Sequence, residues 1–474
     1  MEKQHLNKAI SFTGFLGMGI GCVFGASWLI MSGIWLDTAG GPVNAILAML
    51  LCLIIELPLA LAYLEAVPMI PLAGGEMAYS YLAFGGLAGM IAGWFGVLVN
   101  IILCAWESVA MTRMLGYLFP GLKTMAPLYK IGEFTVTAPA VLIGLVIIIG
   151  IGILQYKGVK LSSKFQTVIT ATVLGLVIIS TVAALFKFNP ANLQPIMAKP
   201  ASSGILALLA MLPFSIAGWE TIAKGAEEAN IGLERAKVGK AVIISIIVAT
   251  FMYMLTTFAP SGIVPWQKLV TVDIPFATAS TQAMGTAFFG TLLTIAACFG
   301  VIGVYNACFY GATRLLYSLG EVGLVPTAFT KLHPRYKTPI TAIIFVSGLA
   351  AIAPFIGKPA LIPLIDVAAF AYIILWGSTL LSVMKLRQTQ PQLNRPVLMP
   401  GGKVVGYFGS IIGILLLIAM LFPGSPASLK WPTEYILLLL LLVIGGVFYA
   451  LRDKSIPEEE RAKLILGNIA EEIK

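Results

Sequence analysis

The sequence GMGIGCVFGASW (residues 17–28) places four glycines within nine residues of an apolar run. A second apolar run, MLPFSIAGWET (residues 211–221), carries a proline, a glycine five residues later and then a carboxylate. Proline removes a backbone hydrogen-bond donor and clashes with the preceding helical turn, and glycine weakens a helix. Both runs are therefore expected to interrupt a helix, the first around residues 25–27 and the second around residues 214–218.

The composition of the whole chain places these runs in a membrane. Of its 474 residues, 59% are hydrophobic and only 11% are charged, against about 45–50% and about 25% in soluble domains. A soluble globule is therefore excluded, and apolar runs near the ~20 residues that span a bilayer predict an all-α polytopic protein with twelve transmembrane helices. The predicted spans are residues 12–35, 43–65, 83–110, 138–155, 163–186, 203–222, 239–262, 283–316, 339–356, 362–385, 404–422 and 433–451.

The two interrupted runs are the first and the sixth span, so they occupy the same place in two successive blocks of five. Such a pair points to a transporter built from an inverted repeat, with its binding site at the membrane midplane. For the first run, close helix packing through the stripe Gly17, Gly21 and Gly25 stays open as an alternative. Unwinding near Gly25 exposes N–H groups that attract a carboxylate, and unwinding near Gly218 exposes carbonyls that suit an ammonium. An α-amino acid fits both.

Basic residues are distributed unevenly between the two sides of the predicted membrane. With a cytoplasmic N-terminus, 22 of the 30 Lys and Arg residues, Lys224 among them, lie in cytoplasmic segments, as the positive-inside rule requires. Both termini are therefore predicted to be cytoplasmic, and the absence of Asn-x-Ser/Thr sequons fits a bacterial inner membrane. The scattered charges do not predict nucleic-acid binding. Five dispersed cysteines and two histidines predict neither a metal site nor a cofactor.

Several motifs, in order along the chain, resemble those of the amino acid–polyamine–organocation superfamily, in particular its bacterial amino acid permeases. They are GIGCVFGASWLIMSG (19–33), PLAGGEMAYSY (71–81), PFSIAGWETIAKGAEEAN (213–230), YGATRLLYSLGEVGLVP (310–326), KTPITA (337–342) and RPVLMPGG (395–402). Each motif is weak alone, but together they cover most of the chain in the expected order.

The resemblance implies a leucine-transporter-type fold in one membrane domain, residues 1–474. Helices 1–5 (12–186) and 6–10 (203–385) would form a five-plus-five inverted repeat, followed by two peripheral helices (404–451) and a cytoplasmic tail (452–474). It implies a secondary active transporter, a monomer or a homodimer in the membrane lipid, that moves amino acids or related amines by alternating access. Proton-coupled symport and exchange both stay open.

The resemblance also implies a substrate site. Gly25, Ala26 and Ser27 would hold the substrate carboxylate through backbone N–H groups, Phe214 would be an aromatic gate, and Ala217 and Gly218 would lie near the amino group. The remaining implied site residues are Val23, Cys104, Glu107, Asn306 and Cys308.

Two positions depart from the family pattern. Ser27 replaces the second glycine of the family's GxG, so the turn is less permissive and the hydroxyl is free to contact substrate. Val173 stands where sodium-independent relatives carry a lysine, on an alignment that starts from residues 158–162. Proton coupling through that lysine is therefore not expected.

Four carboxylates lie deep in predicted spans, where charge is expensive and usually functional. Glu220 is either the proton-coupling group or a hydrogen-bonding partner that pins the helix. Glu107 either recognises a cationic substrate or lies near the outer surface and pairs with Arg113. Glu56 is expected to pair with a neighbouring helix, and Asp366 to cap the start of the tenth span.

Other functions account less well for the sequence. An intramembrane enzyme would show clustered ligands or a nucleophile with a base, and a channel would show repeated pore motifs. A sensor that kept the fold but lost transport stays an alternative, as does a polyamine or amine permease. Neutral and cationic amino acids both remain open as substrates.

Overall fold

The computed structural model describes residues 10–466 except residues 73, 158–162 and 337. Within that part of the chain, eleven helices are long and apolar enough to cross a membrane, and a shorter apolar helical stretch covers Ile340–Ile356. The only sheet in the described ranges is a hairpin of β1 (Pro127–Ile131) and β2 (Phe134–Thr137). The predicted all-α polytopic membrane fold is confirmed.

The helices follow the predicted order of spans. In the first half they are α1 (Phe12–Val23), α2 (Ser27–Ile30), α3 (Ser32–Ala39), α4 (Pro42–Met69), α5 (Gly75–Phe84), α6 (Gly86–Leu118), α7 (Ala138–Lys157) and α8 (Ser163–Leu185). In the second half they are α9 (Ala201–Ile216), α10 (Thr221–Gly225), α11 (Arg235–Ile263), α12 (Trp266–Leu269), α13 (Pro275–Met284), α14 (Ala287–Glu321), α15 (Ile340–Ala350), α16 (Ala353–Ile356), α17 (Leu361–Thr389), α18 (Gly402–Leu421), α19 (Thr433–Ala450) and α20 (Glu458–Leu466). Short 3-10 turns cover Pro120–Lys123, Pro190–Leu193, Ala226–Glu228, Thr327–Thr330 and Lys358–Ala360.

Three predicted spans are composite. The first comprises α1, α2 and α3, and the sixth comprises α9 and α10. The ninth comprises α15 and α16, with a turn at residues 351–352. The inverted relation between the two blocks of five spans stays a prediction. Residues 158–162, from which the alignment of Val173 starts, lie outside the described residues.

The long helix α6 lies at the centre of the bundle. It packs against α14, α5, α7 and α17, and α1 lies against α8 and α11. In the most apolar window of α6, 83% of the residues are buried, against 28% in α18 and 22% in α19. An apolar side chain facing lipid needs no protein neighbour, so α18 and α19 are stable at the periphery.

The end of the described chain packs against the helix bundle. Glu458, the first residue of α20, accepts the Gly86 N–H at the start of α6 (3.1 Å) through Oε1, and its carbonyl accepts the Tyr81 hydroxyl (3.0 Å). A carboxylate at a helix N-terminus satisfies an otherwise unpaired N–H and complements the helix dipole. The first part of the charged tail therefore caps the central helix α6.

Arg113 of α6 belongs to an ion cluster with the loop before α13, which corrects its predicted pairing with Glu107. The Asp273 carboxylate lies 3.7 Å from Arg113, 2.5 Å from Lys123 and 3.8 Å from Lys358. Partial burial alone would raise the pKa of Asp273. The hydrogen bond from Lys123 and the three positive charges together outweigh burial and hold the pKa below its ordinary value.

Asp273→Asn is expected to lower thermal stability at neutral pH and to have less effect in acid. A carboxylate whose pKa is lowered by folding stabilises the protein above its unfolded pKa of about 3.9, and this contribution disappears as the pH falls through the lower folded-state pKa. Because 31% of the Asp273 side chain is exposed, the effect is about 1 kcal/mol or less, which for a chain of this length is a shift of about 1 °C or less in Tm. Thermal unfolding in detergent between pH 7 and pH 3 measures it.

The matched control for this prediction is Glu234→Gln. Its ion pair with Lys237 (3.6 Å) is solvent-exposed, with the Glu234 side chain 69% accessible, so no measurable Tm change is expected. A Tm difference between Asp273→Asn and the wild type that stays constant down to pH 3 would contradict the assigned role of the ion cluster.

Candidate functional site

Both predicted interruptions are present. Between α1 and α2 the residues 24–26 are not helical, and between α9 and α10 the residues 217–220 are not helical. The boundaries differ slightly from prediction, because Ser27 is the first residue of α2 and Phe214 still lies in α9. Pro213 lies inside α9 without ending it. The chain departs from the helix at Ala217, which is extended, and at Gly218, whose φ is +120°.

The two interruptions contact each other through their backbones. A Cβ atom on Gly218 would lie 2.7 Å from the carbonyl carbon of Cys22 and 2.8 Å from the nitrogen of Val23. No side chain fits at those distances, and the positive φ also favours glycine. The sixth span therefore passes directly against the end of α1, midway along both spans.

Tyr253 of α11 bridges the interruption of the first span, a role that no sequence motif signalled. Its hydroxyl donates to the Val23 carbonyl at the end of α1 (2.5 Å) and hydrogen-bonds with the Ser27 side chain at the start of α2. Its ring packs 5.2 Å from that of Phe24. Tyr253 therefore satisfies one carbonyl that α1 leaves unpaired, and it engages the hydroxyl that the sequence assigned to substrate contact.

Glu107 of α6 lies beside the interruption of the first span. Its side chain is buried, its carboxylate accepts the Ala26 N–H, and a Cβ on Gly25 would lie 2.9 Å from its Oε1. Among the described residues, its Oε2 has no hydrogen-bond partner. The predicted alternative, a pair with Arg113 near the surface, is wrong, because Arg113 bonds with Asp273. The N–H expected to bind a substrate carboxylate therefore holds a protein carboxylate here.

Glu220 follows the second interruption and stabilises it. Its Oε2 accepts the Gly218 N–H (2.8 Å), while the Thr221 hydroxyl donates to the Gly218 carbonyl (2.6 Å). Its Oε1 lies 4.0 Å from the Lys224 ammonium. Lys224 was assigned to the cytoplasmic surface from sequence, but it is only 8% exposed. These contacts agree with the expectation that Glu220 holds the helix in place through hydrogen bonds. They are also compatible with a role of Glu220 in proton coupling.

The remaining predicted site residues lie on three surrounding elements. The Phe214 ring of α9 packs 5.5 Å from that of Trp106. The Cys104 thiol of α6 lies 3.8 Å from the Tyr305 carbonyl of α14. The Asn306 side-chain oxygen accepts from Gln155 of α7 (2.7 Å), so its amide is already engaged.

All of the predicted site residues are buried. None is more than 8% exposed among Val23, Ala26, Ser27, Cys104, Glu107, Phe214, Ala217, Asn306 and Cys308. Gly25 and Gly218 fall in the same class. The conformation described therefore keeps them away from solvent. A cavity of about 390 Å³ at the far end of α3, lined by residues such as Asp37, Lys199 and Lys430, contains none of them.

The two other membrane carboxylates have partners that differ from prediction. Glu56 accepts from Cys52, one turn earlier on its own helix α4 (3.0 Å), and not from a neighbouring helix. Asp366 does not cap α17, which begins five residues earlier at Leu361. Its carboxyl group hydrogen-bonds with that of Glu434 on α19.

Val173 lies on α8, which packs against α1, and its side chain is buried. It offers no titratable group at that position. Within the described residues, no group of three or more His, Cys, Asp or Glu side chains is arranged to hold a metal ion.

Tyr253→Phe is expected to raise the KM for transported substrate about fivefold while the protein folds normally. Loss of the hydroxyl leaves the Val23 carbonyl and the Ser27 hydroxyl without a partner, at a cost of about 1 kcal/mol. Uptake kinetics in proteoliposomes measure the effect. Tyr407→Phe on the lipid-facing side of α18, where the side chain is exposed, is the control, and an unchanged KM in Tyr253→Phe would contradict the bridging role.

Comparison with known proteins gives consistent matches along the chain. The sequence profile described as "Amino acid permease" matches residues 10–447. The branched-chain amino acid permease BcaP of Bacillus subtilis (strain 168) is 28% identical over 452 residues, covering 92% of this chain and 91% of that protein. The methylthioribose transporter of the same organism is 26% identical, covering 89% and 90%. Cationic amino acid transporter 7, chloroplastic, of Arabidopsis thaliana is 23% identical, covering 74% and 60%.

Proposed function

Because the chain belongs to the amino acid permease family of the amino acid–polyamine–organocation superfamily, we propose that it transports α-amino acids by alternating access, with the substrate bound between the two interrupted spans. It is an integral membrane transporter.

The observation that carries the proposal is the contact between the Glu107 carboxylate and the Ala26 N–H. Ala26 precedes α2, and Met31 between α2 and α3 keeps helical backbone angles, so the helical backbone continues to Ala39. A carboxylate is favoured at the N-terminal end of such a segment, because unpaired N–H groups and the helix dipole attract negative charge. A substrate carboxylate is suited to the same position.

The end of α9 offers the complementary group. Its last carbonyls have no partners in a following helical turn, because the chain leaves the helix at Ala217 and Gly218. Unpaired carbonyls at a helix C-terminus carry partial negative charge and suit an ammonium. Since Gly218 lies against Cys22 and Val23, both ends of an α-amino acid can be held within one small region.

The surroundings favour an uncharged side chain on the substrate. Phe214, Cys104, Cys308 and Val304 are buried near the interruptions and carry no charge. The similarity to a branched-chain amino acid permease supports the same choice. We therefore propose neutral, apolar amino acids as the first substrates to test.

A second candidate is an amine without a carboxylate, and Glu107 is the observation that favours it. Since Glu107 already satisfies the Ala26 N–H, such a substrate would need no other anion site and would pair with the Glu107 carboxylate. Similarity to cationic amino acid transporters is compatible with a positively charged substrate.

Counterflow in proteoliposomes tests the proposal. Vesicles are loaded with one unlabelled compound from a panel of neutral, acidic and cationic amino acids and diamines, and entry of the labelled compound is followed at equal pH. Saturable counterflow of neutral amino acids is the expected result. Counterflow of diamines alone would support the second candidate, and substrate binding without counterflow would support a sensor.

A further inference from the structure

Three charged side chains are buried together between α5 and the second interruption. Glu76 is fully buried, Glu220 is 1% exposed and Lys224 is 8% exposed. The Lys224 ammonium lies 4.0 Å from Glu220 Oε1, and both carboxylates act electrostatically on it. The Lys224 stem passes beside Gly75, where an added Cβ would lie 3.8 Å from its Cγ. These residues are called the Glu76–Glu220–Lys224 cluster below.

The cluster has unused hydrogen-bonding capacity. The Tyr63 hydroxyl donates to Glu76 Oε1 (3.0 Å), but Glu76 Oε2 has no partner among the described residues. The Lys224 ammonium has no hydrogen-bond partner there either. Glu220 is bound to the Gly218 N–H through Oε2 and to Lys224 through the longer ion pair. A buried polar group without a hydrogen-bond partner destabilises the folded protein. These three side chains are therefore able to bind a further hydrogen-bonding partner or a proton.

The charges of the cluster do not balance. Two carboxylates face one ammonium, so the fully ionised cluster carries a net negative charge inside the membrane domain. The titratable groups that face it from other elements add no positive charge. They are Cys22 of α1, Glu56 and Tyr63 of α4, Tyr79 of α5, Cys308 of α14 and Tyr372 of α17. Within the cluster itself, one bound proton neutralises the excess charge, and the neighbouring acid Glu56 only increases the need for it.

We propose that the Glu76–Glu220–Lys224 cluster takes up and releases the single proton that couples substrate transport to a pH gradient. Lys224 keeps one carboxylate ionised, and the second carboxylate carries the proton in one state and loses it in the other. This proposal rests on the proposed transport function. It extends the sequence prediction for Glu220 to two residues that the sequence did not assign, Glu76 and Lys224.

The cluster is connected to the substrate region by one hydrogen bond. Glu220 Oε2 holds the Gly218 N–H, and Gly218 lies against the end of α1. An ionised carboxylate accepts a stronger hydrogen bond than a protonated one. Proton uptake by the cluster reduces the negative charge that Glu220 shares and so loosens its hold on Gly218, and a change in the contact between Gly218 and α1 alters the proton affinity of the cluster in return.

The test compares two transport modes of the same protein in proteoliposomes. Counterflow at equal pH on both sides needs no net proton movement, whereas uphill accumulation under an acid-outside gradient does. In Glu76→Gln, Glu220 and Lys224 remain as a neutral pair that needs no proton. The expected result is a loss of gradient-driven accumulation of about tenfold or more, with counterflow within about threefold of wild type. Wild-type accumulation in Glu76→Gln would overturn the proposal.

Asp366→Asn is the matched control, because Asp366 is 7% exposed, undergoes the same chemical change and hydrogen-bonds with Glu434 of α19, outside the cluster. Both transport modes should remain within about twofold of wild type. If the control variant loses coupling as Glu76→Gln does, then neutralising any buried carboxylate abolishes coupling, and the proposal fails.

A measurement on the wild type keeps the test independent of how the variants fold. The reversal of substrate flux at known pH gradients gives the number of protons moved per substrate, and the expected number is one. A value of zero, or accumulation driven by sodium, would overturn the cluster proposal while leaving counterflow intact. Absence of counterflow for every compound would instead contradict the proposed transport function.

Discussion

Replacing Gly218 with alanine is expected to reduce amino acid counterflow about 100-fold without preventing membrane insertion. The φ of +120° is unfavourable for any side chain, and the added Cβ would overlap the backbone at Cys22 and Val23. Strain of this kind costs roughly 1–3 kcal/mol before the displacement of α1 is included, and about 3 kcal/mol corresponds to about 100-fold in rate. Initial counterflow rates, normalised to the amount of monodisperse protein, measure the loss.

Gly300→Ala is the control for this prediction. Gly300 lies within α14, and no atom outside its own helical turns lies within 4 Å of the position that a Cβ would occupy. Alanine there is expected to leave transport unchanged and to increase helix propensity slightly. Near-normal counterflow in Gly218→Ala would mean that the close contact between the two interrupted spans is not needed for transport.

Glu107→Gln is expected to change substrate selectivity between neutral amino acids and diamines about 100-fold. The Glu107 carboxylate accepts the Ala26 N–H, so it competes with a substrate carboxylate for the same donor and repels it. Removing the charge should lower the KM for a neutral amino acid about tenfold, because about 1.4 kcal/mol of repulsion is lost. A diamine, which would pair with Glu107, should lose about tenfold in affinity.

The affinities for the amino acid and for the diamine are expected to change in opposite directions, so a general loss of activity cannot produce the same result. A damaged protein would lose both substrates together, whereas the competition predicts that one improves as the other weakens. Competition of each unlabelled compound against a labelled amino acid gives both values in one assay. A parallel loss of amino acid and diamine binding would instead mean that the Glu107 carboxylate contacts the amino group of both.

The sequence predicted the membrane fold and both interruptions because these depend on local chemistry. An apolar run of sufficient length has one stable environment, and glycines in such a run weaken regular helix, whereas Pro213 lies inside α9 without ending it. The detailed boundaries depended on tertiary contacts. The departure at Gly218 is fixed by the close approach of Cys22 and by the hydrogen bond to Glu220, and neither is visible as a composition pattern.

The burial of Lys224 shows where counting charges by segment fails. Its position near the end of the sixth span suggested a cytoplasmic charge, but two carboxylates accompany it, and one of them, Glu76, lies about 150 residues away in sequence. A pairing of that kind requires knowledge of which helices are neighbours. The same limitation explains Arg113, which bonds with Asp273 of a distant loop and not with nearby Glu107.

Tyr253 and Asp366 illustrate two further limits of sequence reasoning. Tyr253 is one of several polar side chains in an otherwise apolar span, and its function depends on lying opposite the interruption of another span. Asp366 resembled a helix cap because it lies near the start of the predicted tenth span. The turn at Lys358–Ala360 leads directly into α17, so the helix already begins at Leu361.

The most direct test of the central claim is an experimental structure with the best transported amino acid bound. The account predicts density between the two interrupted spans, with the substrate carboxylate within hydrogen-bond distance of the Ala26 N–H and its ammonium at the carbonyl end of α9. Glu107 should then have moved off Ala26. Substrate density elsewhere, for example in the cavity lined by Lys199 and Lys430, with Glu107 still bound to Ala26, would contradict it.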